Sequence, residues 1–214
     1  MPVVFYICCA VTAAAVCALL LAEYRNSRIG VWIAKPVASA GFVAAGMLGE
    51  AAQTSYGRWV LIGLVLSMLG DVLLIPRGRE SIFRLGVFSF LLGHVSYSVA
   101  FAGLSPDSAA TAVAAVVFVG AGLLIARRLA GHIPAGLAAA AYAYMLVITV
   151  MVVLAGGAAV ATAHSAIFVG ALAFYLSDIS VALDRLVEEN FMHRLWGLPL
   201  YFAAQLVLAA TTLR

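Results

Sequence analysis

Long apolar segments, each close to twenty residues, alternate along the chain with short polar connections. A helix of about 20 apolar residues spans the roughly 30 Å hydrocarbon core of a bilayer. Because the connections are short, neighbouring helices should run antiparallel in one compact bundle. The pattern therefore predicts an all-α, polytopic membrane protein, a bundle of eight transmembrane helices at residues 3–22, 31–49, 58–75, 84–103, 109–126, 134–155, 160–183 and 195–213.

Composition agrees with a membrane protein. The 214 residues are 65% hydrophobic and only 10% charged, with a mean hydropathy of +1.12, which is far more apolar than a soluble domain needs. Little sequence remains outside the segments, so we expect residues 1–214 to form a single integral membrane domain. The first segment lacks a preceding basic region and should belong to the bundle rather than be a cleaved signal. Its cysteines, Cys8, Cys9 and Cys17, lack metal-ligand spacing and are interpreted as packing residues.

The basic residues are distributed unevenly between the two ends of the predicted bundle. Nine lie in the connections that follow segments one, three, five and seven, whereas the opposite end has only Arg58 and Arg214. The positive-inside rule then predicts that both termini face outward, in what we expect to be a bacterial cytoplasmic membrane. This placement accounts for the net charge of +3 without a nucleic-acid partner. The nine are Arg25, Arg28, Arg77, Arg79, Arg84, Arg127, Arg128, Arg185 and Arg194.

Two aspartates interrupt segments that are otherwise hydrocarbon, Asp71 in the third and Asp178 in the seventh. An ionisable group inside a span costs roughly 2.5–3.5 kcal/mol on insertion scales, so such a residue is a functional-site candidate by default. Counted along the helices, both aspartates, Lys35 and His94 lie about 9–15 Å from the nearest basic connection. We therefore expect these four groups to share one slab on the cytoplasmic side.

The two halves of the chain match weakly at a shift of 107 residues. Residues 63–71 then lie over residues 170–178, and a glycine, a leucine and the aspartate coincide. Four helices in each unit would make a 4+4 duplication a pair of parallel repeats, related by an axis along the membrane normal. Asp71 and Asp178 would then be symmetry mates that face one central cavity.

Small, aromatic and polar residues follow the same helix faces as the carboxylates. In the fourth segment His94 and Tyr97 continue a stripe that contains Gly86 and Phe90, at spacings that fall on one side of a helix. Such stripes are also typical of the seams where membrane helices pack. A seam does not require aspartate, however, and the carboxylates therefore favour a functional cavity.

Structural interpretations of these residues stay open at the level of sequence. Each aspartate could pair with a cation such as Lys35, which could instead reach the membrane interface with its ammonium group. His94 could be a core histidine, and Gln205 could join two helices by hydrogen bonding. A metal site built from Asp71, Asp178 and His94 is a further alternative, but no regular ligand spacing supports it. We predict neither a metal nor a cofactor.

Five motifs extend over segments two to eight. They are Lys35-Pro36, Gly70-Asp71, Phe83-x2-Gly86-x3-Phe90-x3-His94-x2-Tyr97, Gly170-Ala171-x2-Phe174-x2-Ser177-Asp178 and Tyr201-x3-Gln205. As a set they resemble the motifs of the YhhN family, the lysoplasmalogenase-like membrane proteins. The chain departs from that pattern at Val181-Ala182, where the family more often has Leu-Ala, a mild exchange that touches no catalytic group.

The resemblance implies an ether hydrolase that cleaves the vinyl ether bond of lysoplasmalogens. The products would be a fatty aldehyde and a glycerophospho-headgroup. Vinyl ethers hydrolyse by protonation at carbon, and water captures the resulting oxocarbenium ion, so a protonated carboxyl and a carboxylate suit the reaction. Asp71 and Asp178 would be this catalytic pair. The substrate-binding residues for the lysophospholipid would be Lys35, His94, Tyr97, Ser177 and Gln205.

This function predicts the form of the site. We expect an elongated pocket, open on the cytoplasmic side and lined by Lys35, Asp71, His94, Tyr97 and Asp178. By analogy with paired-carboxylate glycosidases, the two carboxyl groups should lie within about 10 Å of each other. The alternatives are a small proton-coupled transporter and a lipid-binding membrane protein. A carrier would need polar residues that continue to the outer face, whereas an enzyme pocket ends blind.

Overall fold

The computed structural model of the protein describes residues 2–48, 53–76 and 78–213. Within these residues the chain forms eight α-helices and no strand. Their bounds are α1 Val3–Tyr24, α2 Arg28–Met47, α3 Ser55–Leu73, α4 Glu80–Ala102, α5 Ser108–Leu129, α6 Ala138–Ala161, α7 Ser165–Ala182 and α8 Phe191–Ala210. A short 3-10 helix, Ala135–Leu137, precedes α6, and a π-helical turn, Leu183–Val187, follows α7.

Each helix overlaps one of the predicted apolar segments, which confirms the helical bundle. Seven of the described helices, α1 to α7, are long and apolar enough to cross a membrane. Helix α8 contains His193, Arg194 and Gln205 and is not among these seven, so its crossing stays a prediction. Arg77 and Arg214, counted above for the orientation, and the last residue of the predicted segment 31–49 lie outside the described residues.

Polar side chains in the connections fix where several helices begin. Ser27, Thr54, Asp107 and Asn190 are the N-cap residues of α2, α3, α5 and α8, and each accepts a hydrogen bond from a backbone N–H of the first turn. Such caps satisfy donors that have no partner within the helix. The helix starts are therefore set by local sequence, and the apolar runs that follow decide which residues are in the bundle.

The helices pack as consecutive pairs that then join across the two halves. α1 packs on α2, α3 on α4, α5 on α6 and α7 on α8, while α2–α3 and α6–α7 contacts hold the pairs of each half together. The halves meet where α4 packs against α6 and where α8 packs against α2 and α1. Helices α2, α3, α4, α6, α7 and α8 therefore form the centre of the bundle.

Glycines on α3 admit aromatic rings from α4 and so let the two helices pack closely. A Cβ atom on Gly63 would lie 2.7 Å from the Tyr97 ring, and one on Gly70 would lie 2.6 Å from the Phe90 ring. Both distances are shorter than atoms tolerate, so a larger residue would separate the two helices. The predicted stripe is thus a packing seam in which Gly70, the residue before Asp71, lies against the ring of Phe90.

Helix α5 lies at the edge of the bundle. Its principal packing partner among the described helices is α6, and its buried residues are Ala114 and Leu129. Val116 is 77% exposed and Leu124 63% exposed. Because exposed aliphatic side chains are compatible with lipid but not with water over such an area, this helix has the surface expected of a lipid-facing span.

Candidate functional site

A cavity of about 1550 Å³ lies between the helices at the end of the bundle that carries the basic connections. We call this end the basic face. Exposed Arg79, Glu80 and Arg84 stand at its mouth. In every helix the lining residues lie between the end at the basic face and the middle of the helix. The innermost of them are Leu19, Lys35, Asp71, Leu91, Gly122, Thr149, Tyr175 and Tyr201.

Asp71 lines this cavity and is bound by three side chains. Lys35 Nζ lies 3.2 Å from Oδ1, and Oδ2 accepts hydrogen bonds from Ser39 Oγ at 2.6 Å and from Tyr201 OH at 2.8 Å. Asp71 is only 2% exposed. A buried carboxylate needs a paired cation and hydrogen-bond donors, and this one has both. The contacts therefore favour an ionised Asp71.

Asp178 also lines the cavity, but its contacts are of another kind. Tyr144 OH donates to Oδ2 at 2.7 Å, and His94 Nε2 lies 3.4 Å from the same oxygen. Among the described residues, no lysine or arginine pairs with this carboxyl group. The two aspartates therefore differ in charge environment although they share one cavity.

The tautomer of His94 means that the contact between its ring and Asp178 needs a proton. Nδ1 lies 2.7 Å from the carbonyl oxygen of Phe90, and because a carbonyl only accepts, Nδ1 carries the hydrogen. In the neutral ring Nε2 then presents a lone pair to Asp178, at a nitrogen that makes no hydrogen bond to any described residue. An ionised Asp178 would face this lone pair with lone pairs of its own. The contact is favourable only when Asp178 or Nε2 holds a proton.

Aromatic rings link the two carboxylate environments. The centre of the Phe174 ring lies 5.4 Å from the centre of the Tyr201 ring and 4.3 Å from that of the His94 ring. The ring centres of Phe90 and Tyr201 are 5.8 Å apart. Phe90 and Tyr201 belong to the cavity wall. The ring contacts thus connect Tyr201, which bonds Asp71, with His94, which contacts Asp178. That the two carboxyl groups lie within about 10 Å of each other, expected by analogy with paired-carboxylate glycosidases, stays a prediction.

The structure brings some of the predicted site residues together and separates others. Lys35, Asp71, Ser177 and Asp178 line the cavity. His94, Tyr97 and Gln205 are fully buried and do not line the cavity, so the prediction that His94 and Tyr97 line the pocket is wrong. Tyr97 enters the seam beside Gly63, where its OH donates to Gln205 Oε1 at 2.6 Å. A hydroxyl with a buried partner in the seam does not need the cavity.

Three residues of the site were not in the predicted set: Ser39, Tyr144 and Tyr201. Ser39 follows Lys35 by four positions on α2, the spacing that puts two side chains on one helix face. Tyr201 follows His94 by 107 positions, the same interval that separates the two aspartates. Each interval was a usable signal. Nothing in the sequence distinguishes Tyr144 from Tyr142, two positions before it.

An ionic cluster at the mouth ties α8 to its neighbours. Arg194 contacts Glu23 at 3.0 Å, Asp184 at 3.1 Å and Glu189. Arg185 lies nearby with its guanidinium 5.3 Å from the centre of the Phe83 ring and pairs with no carboxylate among the described residues. Arg194 is therefore occupied in holding the mouth together, whereas Arg185 has donors available for a ligand.

The alternative metal set is not assembled. Over residues 2–48, 53–76 and 78–213, no three His, Cys, Asp or Glu side chains cluster as metal ligands would. His94 accompanies Asp178 while Asp71 pairs with Lys35.

Comparison with known proteins gives one match. The model of the YhhN family matches residues 30–212, which include both aspartates and the side chains that contact them. No curated protein and no solved structure matches the chain. The family match covers most of the chain, from α2 to the residues after α8. The chain therefore belongs to the YhhN family.

Proposed function

We propose that this protein is a lysoplasmalogenase-like lipid hydrolase that cleaves the vinyl ether bond of 1-alkenyl lysophospholipids. The observation that carries the proposal is the pair of differently partnered aspartates on the wall of one cavity. Asp71 is compensated by an ammonium group, whereas Asp178 has a phenol and an imidazole beside it. One carboxylate and one carboxylic acid in a single cavity are what vinyl ether hydrolysis requires.

The contacts divide the catalytic roles between the two residues. Asp178, as the acid, gives its proton to the vinyl carbon remote from oxygen, and the adjacent carbon becomes an oxocarbenium centre. The Asp71 carboxylate stabilises this cation and takes a proton from the water that adds to it. The hemiacetal then collapses as Asp71 returns its proton to the glycerol oxygen and Asp178 takes the hydroxyl proton. Both residues regain their starting states and the aldehyde leaves.

Size and charge of the cavity suit a single-chain phospholipid. Its volume of about 1550 Å³ exceeds the roughly 300–1,000 Å³ of pockets for drug-sized ligands. Arg185 at the mouth offers a bidentate partner for the headgroup phosphate. The aliphatic residues of α5 and α6 on its wall, such as Ile125 and Ile148, provide an apolar surface for the tail.

The distribution of lining residues favours an enzyme over a carrier. Alternating access needs a polar path from the site to both faces of the membrane. Here the lining residues extend from the basic face only to the middle of each helix, where the aromatic rings of Phe90 and Tyr201 belong to the wall. A blind pocket fits a hydrolase that receives and releases lipid on one side.

An internal repeat would explain the pairing of the site. Shifting α1–α4 by 107 positions onto α5–α8 turns the α4–α6 contact into the α8–α2 contact, and both occur. The same shift carries Asp71 onto Asp178 and His94 onto Tyr201. Tyr201 contacts Asp71 and His94 contacts Asp178. We infer a 4+4 parallel duplication in which each aspartate is met by a residue of the other half.

We expect eight spans with both termini outward and the basic face in the cytoplasm. The reason is the excess of arginines in the four connections at that face. Single cysteines placed at Arg79 and near the C-terminus, in a background without Cys8, Cys9 and Cys17, measure this with an impermeant thiol reagent on intact cells. The terminal site should label and the Arg79 site should not. Labelling at Arg79 from outside contradicts the orientation.

A panel of lysophospholipids tests the proposed reaction. The purified protein in detergent is incubated with 1-alkenyl, 1-alkyl and 1-acyl lysophospholipids of equal chain length, and released aldehyde and fatty acid are measured. We expect aldehyde from the alkenyl lipid alone, because only a vinyl ether forms an oxocarbenium ion on protonation at carbon. Fatty acid from the acyl lipid would identify an esterase, and no product from any lipid would refute the proposed function.

A further inference from the structure

A second apolar space lies beside the cavity, between α5 and α7. It is a groove of about 350 Å³ lined by Leu124, Ile125, Arg128, Leu129, Ile179 and Leu183. Three of these residues, Ile125, Leu129 and Ile179, also line the large cavity. Their side chains form the partition between the groove and the cavity. Movement of a few aliphatic side chains would join the two spaces.

Helix α5 contacts α7 in its middle but is separated from α7 by the groove near the basic face. In its middle, the Phe118 ring contacts the rings of Tyr175 at 5.5 Å and Phe168 at 6.0 Å, both on α7. Beyond this point, toward the basic face, the groove separates α5 from α7. α5 packs chiefly on α6, so its last two turns can move away from α7 without disturbing the centre of the bundle.

We propose that a single-chain phospholipid enters the cavity sideways from the bilayer through this groove between α5 and α7. The groove is aliphatic except for Arg128, which is exposed at the end nearest the basic face. This arrangement matches an amphiphile with an apolar tail and an anionic phosphate. A tail that passes between α5 and α7 stays in contact with hydrocarbon, whereas entry through the polar mouth would expose every methylene to water.

We call the groove between α5 and α7 the portal. It adds a route of entry to the proposed function, and the identity of its ligand rests on that function. Ile125 is the residue to change, since it is half-buried and lines both spaces. A tryptophan there should fill the groove. Leu123 is the matched control, because it lies on the same helix, is 58% exposed and lines neither space. Ile125→Ala removes most of a side chain that separates the two spaces, so it should make entry of the lipid easier, whereas Ile125→Trp should hinder it.

The measurement is capture of a 1-alkyl lysophospholipid that carries a diazirine in its tail, added to vesicles containing the full-length protein. Samples are illuminated briefly at successive times after the probe is added. The growth of crosslinked peptides that contain Tyr144 or Tyr201 gives the rate at which the probe reaches the cavity. A four-carbon analogue, which is soluble in water, serves as the second probe. We expect Ile125→Trp to slow capture of the long probe by roughly tenfold, and Ile125→Ala to speed it. Leu123→Trp should resemble the wild type, and the short probe should enter all proteins equally.

Several results would refute lipid entry through the portal. Equal slowing by Leu123→Trp, equal slowing of the short probe, or a rate unchanged by Ile125→Ala each contradicts entry between α5 and α7. If Ile125→Trp does not fold, the Ile125→Ala rate decides alone. The alkyl ether is not hydrolysed, so capture does not depend on turnover. A protein that releases no aldehyde from the lipid panel but captures the probe in this way keeps the portal and loses the proposed hydrolysis.

Discussion

Asp71→Asn and Asp178→Asn are each expected to reduce aldehyde release at least about 10²-fold, the lower range for groups that act as general acid or base. Asparagine keeps the size of the side chain but neither gives up a proton at Asp178 nor carries a charge at Asp71. Tyr144 can still donate to the amide oxygen at position 178, so that variant should fold normally. The rates are measured with the alkenyl lysophospholipid, and folding is followed by thermal unfolding in detergent.

Asp107→Asn is the matched control for these exchanges. Asp107 caps α5 by accepting the N–H of Ala110 at 2.8 Å, on the face opposite the cavity, and asparagine caps a helix about equally well. Its activity and stability should equal those of the wild type. If either Asp71→Asn or Asp178→Asn keeps more than roughly a tenth of the activity, the acid–base pair is wrong, whatever the control shows.

The fold follows from local features of the sequence. Apolar runs of the right length, bounded by caps such as Ser27 and Thr54, determine where the helices lie, and hydropathy does not depend on tertiary contacts. Helix α8 shows the limit of this signal, because it is not among the helices long and apolar enough to cross a membrane although it packs in the centre of the bundle. Its position depends on partners from other helices.

The site could be predicted only in part, for a physical reason. Depth along a helix is a matter of counting, so the shared level of Asp71, Asp178 and Lys35 was accessible from sequence. The direction in which a stripe of polar and aromatic residues faces depends on packing. Tyr97 and Tyr201 are both buried tyrosines on central helices, yet Tyr97 bonds Gln205 in the seam and Tyr201 bonds Asp71 on the cavity wall.

Lys35→Met is expected to destabilise the protein by about 3–5 kcal/mol, the range for removal of one partner from a buried ion pair. Lys35 Nζ is 3.2 Å from Asp71, and the side chains are 13% and 2% exposed. Methionine fills much the same volume but leaves a buried carboxylate with only Ser39 and Tyr201 as donors. Thermal unfolding in detergent should show a large fall in Tm, and aldehyde release should fall with it.

The double variant Lys35→Met with Asp71→Asn separates structure from catalysis. It removes both charges at once, so most of the stability lost in Lys35→Met should return, because replacing a whole buried ion pair is often neutral. Aldehyde release should not return, since Asp71 is needed to stabilise the oxocarbenium ion and to activate water. Recovery of Tm together with activity would make Asp71 a structural partner of Lys35 alone. Failure to recover Tm would mean that Lys35 stabilises the bundle by contacts other than the ion pair, and the ionised state assigned to Asp71 would lose its basis.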